Sequence, residues 1–427
     1  MKSIIQPTIL KGTRDFFPKD MAKRNRVMQI IRTVFECFGY DTIETPILNP
    51  AQTILGKYGE EGERLTYNFT RGDTRIALPY DLTVPFARFV ATNFRELPMP
   101  FKRYQIQRVW RAEKPQKGRL REFYQCDIDI IGTRSLIAEA EIARIITDVF
   151  DALGFKRFNI EINSRRLMND ILKRFGVIEK NSEIIREIDK LAKTGEAEVI
   201  RELEKYGLTA SKGQELLKLL KPEANNEITI KKLTDFDTSE IEEFLQRCKE
   251  VGVNVSLITF NPTLARGLDY YTGITYEVTS PDVALGSLCG GGRYDNLCGL
   301  FCNENFSGVG VAFGFERIML ALEELNQLND TQPNSQVLVT LFNKDSIPDA
   351  LNIYNTLVTS QIRSELYFEP SKLEKQLKFA AKKEIPFVLV RGPEEAEKNE
   401  ITIKIMKTGK QKTIPLNQLT TYLKNYA

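Results

Sequence analysis

In FYQCDIDI, residues 123–130, polar and apolar side chains alternate. An extended chain of that period puts Phe123, Gln125, Asp127 and Asp129 on one face, and Tyr124, Cys126, Ile128 and Ile130 on the other. If the apolar face packs a core, the opposite face carries an amide and two carboxylates. For the strand taken alone, a solvated face is the alternative. The preceding segment, PFKRYQIQRVWRAE, ends in Arg111 and Glu113 beside a loop with Lys114, Lys117, Arg119 and Arg121. A sheet floor with carboxylates at one end and arginines at the other can hold an ammonium group and a polyphosphate side by side.

Three further segments carry polar groups. LPYDLTVPFARF adds Asp81 and Thr83, which read alone as caps for the helix that follows. LARGLDYYTG places Arg266, Asp269, Tyr270 and Tyr271 between glycines. The glycine runs GSLCGGGRYD and SGVGVAFGFER match neither GxGxxG nor GxxxxGK[ST], so Rossmann and Walker sites are not expected. Each run is closely followed by an arginine, Arg293 or Arg317, which suits approach of backbone to an anionic nucleotide. The chain contains no histidine. That excludes Ser-His-Asp and Cys-His catalysis, and favours chemistry driven by positioning and charge neutralisation, with phosphoryl and nucleotidyl transfer foremost.

The elements that must position these residues are legible as periods. Residues 19–39 repeat apolar side chains every three or four positions and close at Gly39, predicting a helix. RLTYNFTRGDTRIAL reads as a hairpin around Gly-Asp, and a helix is expected over 135–153. From about 165 to 245 the chain becomes Lys/Glu-rich and helical in period. Strand signals return at VSLITF, GITYEV and GVGVAFGF, the last running into a helix. Beyond the polar stretch NQLNDTQPNSQ, strand and helix alternate as a separate small α/β domain.

With 427 residues, the chain can build two or three cores. Its net charge of +3 is too weak to announce a nucleic-acid binder by itself. After residue 331 there are 14 Lys/Arg against 10 Asp/Glu, a modest bias, and Lys375, Lys378 and Lys382 lie near one helix face. Six cysteines without a CxxC pair read as small buried thiols, although a site of Cys289, Cys298 and Cys302 is the metal alternative. No apolar run is long enough to span a membrane, and the N-terminus lacks the pattern of a signal peptide, so a cytoplasmic location is expected.

The chain resembles class II aminoacyl-tRNA synthetases, and among them histidyl-tRNA synthetases, over essentially its whole length. KGTRDFFP (11–18) is similar to that family's N-terminal signature, and the helix and strand ending at Pro46 to the dimer-interface motif. RAEKPQKGRLREF and GVGVAFGFER are similar to the second and third class motifs. ARGLDYYTGITYEV and GSLCGGGRYDNL resemble the histidine-specific segments, and the tail after about 335 resembles the anticodon-binding domain. Phe315 and Tyr124 depart from what other members carry.

The resemblance implies an α/β chain with an α+β catalytic body, an antiparallel sheet flanked by helices. The expected division is catalytic core over 1–165 and 246–325, helical insertion over 166–245, linker over 326–336, and a mixed α/β anticodon-binding domain over 337–427. It implies a homodimer whose partners are L-histidine, ATP and tRNA, activating histidine as its adenylate and passing it to the tRNA 3′ end. Arg266 and Arg111 would be catalytic, at the α-phosphate. Asp81, Leu82, Thr83, Gln125, Asp129, Tyr270 and Tyr271 would bind the amino acid. Arg111, Glu113, Arg121, Phe123 and Arg317 would bind ATP. Mg²⁺ would accompany the nucleotide, with no dedicated protein cage. Two rivals are a non-catalytic relative that regulates histidine biosynthesis, and a class II synthetase for another amino acid. Arg266, Arg111, Arg317 and the C-terminal domain argue against the first, and RGLDYYTG with Asp129 against the second.

Overall fold

The computed structural model describes residues 5–57, 59–265, 270–328 and 334–426. Two compact units result, one built from the chain up to Asp15 and from Arg24 to Leu328, the other from Phe16–Lys23 and the chain after Leu328.

The first unit is organised by an eight-stranded sheet. Its strands are β1 (Asp41–Thr42), β2 (Phe101–Trp110), β3 (Glu122–Ile131), β4 (Asn159–Ser164), β5 (Ile258–Phe260), β6 (Ile274–Thr279), β7 (Cys289–Tyr294) and β8 (Gly308–Gly314), in the order β1-β2-β3-β8-β7-β6-β4-β5. The outer pairs β1/β2 and β4/β5 are parallel, and every pair between them is antiparallel. The hairpin read around Gly72-Asp73 forms as Asn68–Arg71 and Thr74–Ala77, in a separate three-stranded sheet.

One face of the large sheet is apolar and carries the core. Cys126, Ile128 and Ile130 of β3 pack there with Val309, Val311 and Phe313 of β8. Two helices cover this face. In α1 (Pro18–Cys37), Val27, Ile31 and Phe35 recur at four-residue spacing and are buried. In α2 (Thr83–Asn93) the apolar side instead joins a smaller cluster with Phe101, Tyr294 and Leu297. The second covering helix is α3 (Leu136–Ala152), started by Ser135, whose side chain accepts from Ile137 N. Residues 165–250 carry a run of short helices, from Arg165–Arg174 to Ser239–Glu250. The last helix of the unit, α4 (Phe315–Glu324), leaves β8 directly.

The second unit has its own five-stranded sheet and its own apolar cluster around Val337, Ile353, Leu389 and Ile403. Three of its strands, Ser364–Leu366, Val337–Val339 and Phe387–Val390, are parallel, and Glu400–Ile405 and Gln411–Pro415 are antiparallel additions.

All six cysteines are free thiols, four of them buried and Cys37 exposed. Among the described residues no group of three Cys, Asp or Glu side chains could hold a metal ion, so Cys289, Cys298 and Cys302 are no metal centre.

Candidate active site

The polar face of the large sheet is the floor of a cavity of about 800 Å³. Strand alternation builds it. Gln125, Asp127 and Asp129 of β3 point into the cavity while their neighbours enter the core. Across β8, their register partners are Gly314, Ala312 and Gly310. A sheet whose next strand offers no side chain larger than methyl leaves the carboxylates uncovered from that side. At the other end of the cavity stand Arg111, Glu113, Arg119 and Arg317, joined to a smaller recess of about 210 Å³ that Phe123 lines. From Phe123 to Asp129 is roughly 20 Å along the strand, at about 3.3 Å per residue.

The acid end is tightly organised. Asp129 is buried, with Arg103 Nη2 2.6 Å from its Oδ2 and the Tyr294 hydroxyl donating to its Oδ1 at 2.6 Å. Burial raises its carboxyl to about 6, while Arg103 and the Tyr294 hydrogen bond pull the other way. Burial, and then the Asp129 charge, push the Tyr294 hydroxyl well above its usual range, so it remains a donor. Tyr270 and Tyr271 rings meet edge-on at 4.9 Å, and Tyr270 meets Tyr294 at 6.3 Å. These three rings and Asp129 form one wall.

Asp81 satisfies both readings of its segment. Its Oδ1 accepts from Val84 N at 3.1 Å in the first turn of α2, and its Oδ2 lies 3.5 Å from the Tyr270 hydroxyl in the cavity wall. Thr83 lines the cavity beside it, and Leu82 is buried at the start of α2.

At the arginine end, Arg111 donates to Tyr80 O at 2.9 Å, and its guanidinium lies over the Tyr80 and Phe123 rings. Arg317 donates to Ser287 O at 2.6 Å. Its neighbour Glu316 is clamped by Arg24 of α1 through two bonds of 2.6 and 2.7 Å, which fixes the first turn of α4. Arg121 is placed differently from the other arginines. Its guanidinium donates to the main-chain oxygens of Glu113 and Lys11, tying the KGTRDFFP segment to the loop between β2 and β3.

Two features depart from the sequence reading. GSLCGGGRYD is not a phosphate-cradling loop: Cys289–Tyr294 is the interior strand β7, paired on both sides. A Cβ at Gly310 would collide with Asp129 Oδ1, one at Gly308 with the Tyr294 ring, and one at Gly292 with Tyr271, so these glycines make room for the wall residues. Alternation also sends Arg293 to the opposite face, where it is fully buried against Glu139, Thr133 O and Ser307, with no path to a nucleotide in the cavity. Arg103, Asp127 and Tyr294 had no assigned role in the sequence reading. Asp127 was visible in the alternation, whereas Arg103 is brought to Asp129 only by the β2–β3 register. Arg266 and Asp269 lie outside the described residues.

A floor with carboxylates at one end and arginines at the other narrows the chemistry, and comparison with known proteins decides the family. A histidyl-tRNA synthetase family model matches residues 12–318, and an anticodon binding domain model matches 336–426. The chain belongs to the histidyl-tRNA synthetase family. Charging of tRNA with histidine is the function that membership carries. The histidine–tRNA ligase of Christiangramia forsetii is 39% identical over 98% of this chain and 99% of its own. The crystal structure of histidyl-tRNA synthetase from Nostoc sp. PCC 7120 superposes with a TM-score of 0.85, at 30% identity, covering 99% of this chain and 100% of that one. The apo S. aureus histidyl-tRNA synthetase gives a TM-score of 0.72 at 25% identity, covering 98% and 100%.

Proposed function

We propose that this cavity is where histidine and ATP are joined, with the two substrates laid end to end along β3. The observation that carries the reading is the segregation of charge on one floor: Asp81, Asp127 and Asp129 at one end, Arg111, Arg119 and Arg317 at the other. Asp81, Thr83 and Gln125 hold the α-amino end of histidine. Asp129 and the Tyr270–Tyr271 pair enclose the imidazole. Phe123 stacks on adenine, Arg317 meets the far phosphates and Arg111 the α-phosphate. Glu113 and the loop 114–120 meet ATP and the tRNA acceptor end, and Arg121 supports that loop through its bond to Glu113 O.

The histidine carboxylate, already ionised, attacks the α-phosphorus in line and pyrophosphate departs. The terminal ribose hydroxyl of the tRNA then attacks the adenylate carbonyl, its proton passing to the phosphate of the departing AMP. Neither step needs imidazole from the protein. Arg111 and Arg266 place fixed cations where charge develops. A binding site that pairs both imidazole nitrogens rejects analogues that leave its buried groups unpaired, by factors of roughly 10⁴.

Among the described residues no donor set fits a protein-built metal cage. Mg²⁺ would accompany ATP, and Glu113 and Glu277 are the carboxylates that would face it on that side. It would neutralise phosphate charge. The division into core (1–165, 246–325), insertion (166–245), linker (326–336) and anticodon-binding domain (337–427) belongs to the same reading, as do a homodimer and a cytoplasmic location. Exposed Ile47 and Leu48, directly after the segment that resembles the dimer-interface motif, support the dimer. No described helix is long and apolar enough to cross a membrane.

The test is amino-acid-dependent ATP–pyrophosphate exchange in the wild type and Arg266→Ala. Exchange with histidine alone is expected, falling by roughly two orders of magnitude or more in the variant. Exchange supported by a different amino acid would overturn the assignment, and an undiminished variant would remove Arg266 from it.

A further inference from the structure

We propose that Asp127 is a substrate-binding residue, its carboxylate the counter-ion that receives the α-ammonium group of the amino acid. This rests on the placement of the amino acid over β3 given above. Asp127 sits between Gln125 and Asp129 on the cavity floor and is 2% exposed. Its register partners are Gln105 on β2 and Ala312 on β8. Ala312 offers no donor. Gln105 spends its amide N–H groups on Thr45 Oγ1 and Gln107, and its oxygen on Arg103. Arg103 in turn gives Nη2 to Asp129. Among the described residues, the donor that reaches Asp127 is Gln125 Nε2 at 3.4 Å, at the long limit of a hydrogen bond.

A second acceptor lies beside it. Gln125 Oε1 is buried and has no hydrogen-bond partner. Buried acceptors are normally satisfied, and an orphan on a residue that lines the cavity marks a place for a donor. An ammonium group brings three. Asp127 and Gln125 Oε1 can take two, and the Asp81–Thr83 edge can take the third. Asp81 by itself is a poorer counter-ion, since Val84 N and the Tyr270 hydroxyl already address its two oxygens.

Charge supports the same assignment. Among the described residues, Asp81, Asp127 and Asp129 gather at this end of the cavity, and Arg103 pairs with Asp129. Burial pushes the Asp127 carboxyl well above the usual range, with Arg103 opposing and Asp129 and Asp81 adding to the rise. An arriving cation relieves that.

The experiment uses Asp127→Asn, which preserves shape and removes the charge, with Asp127→Ser as a smaller neutral variant should the first fail to fold. Two competitive inhibitors of histidine-dependent exchange are compared: histidinol, which keeps the ammonium, and 3-(imidazol-4-yl)propionate, which lacks it. Histidinol is expected to weaken roughly 10- to 100-fold in the variant while imidazolepropionate keeps its affinity or gains. The KM for ATP should stay within about twofold. Equal weakening of both inhibitors, or unchanged histidinol, would overturn the proposal. If Asp129→Asn also leaves both inhibitors unaffected, the amino acid does not lie over this strand, and the placement falls together with the proposal.

Discussion

Arg103 and Asp129 are register partners across β2 and β3, and their side chains form an ion pair of 2.6 Å with almost no solvent exposure on either. The Arg103 guanidinium also lies 4.4 Å from the centre of the Phe86 ring, which seats it in α2 as well. A buried pair of this kind gives little net stability, but removing one member strands the other. Arg103→Met is therefore expected to cost about 3–5 kcal/mol in unfolding free energy and to leave Asp129 protonated. Denaturant unfolding and the histidine KM together check this: the KM for histidine should rise while that for ATP changes little.

The pH dependence of Asp129 has a definite sign. Its carboxyl moves from an ordinary 3.8 to about 6 on folding. Between those values the folded chain holds a proton that the unfolded chain has released, so stability falls as pH rises through the window and stays lowered above it. Two units correspond to about 3 kcal/mol. The difference in unfolding free energy between wild type and Asp129→Asn, followed from about pH 4 to about pH 7, should shift by that amount against the wild type. A flat difference would contradict the burial argument.

Gly310 faces Asp129 across β3 and β8, and a Cβ there would strike both the Asp129 carboxylate and Ile128 O. Gly310→Ala should cost about 1–3 kcal/mol and displace Asp129. Histidine-dependent exchange is expected to drop by roughly 10²-fold, as for other displaced reactive groups. Melting temperature and exchange rate are the measurements, and full activity in a stable variant would show that the strands can yield.

Arg24 reaches from α1 to Glu316, one residue before Arg317. Arg24→Met should leave Glu316 buried without its partner and loosen the start of α4. The expected pattern is a raised KM for ATP with the histidine KM unchanged, read by exchange kinetics at varied ATP. Equal changes in both constants would point to general destabilisation.

Much of this site was legible from alternation. A period of two in FYQCDIDI separates the floor from the core, and the apolar stripe in 19–39 predicts α1 because burial repeats with the helical turn. What escaped has physical reasons. Glycines carry no side-chain signal, so β7 is a strand because β8 and β6 pair with it, not because its own residues favour extension. Once it is a strand, the direction of Arg293 follows, opposite to Tyr294. The Arg103–Asp129 partnership depends on hairpin register over 26 residues, which local propensity does not encode.

The glycine-lined floor has a consequence for altering what the enzyme accepts. Chambers are usually widened by trimming a bulky residue, but Gly290 and Gly310 have nothing left to trim. Every substitution among them makes the chamber smaller. A synthetase that loads a larger ring would have to be carved from the tyrosine wall, at Tyr270, Tyr271 or Tyr294, and the backbone below would set its depth unchanged.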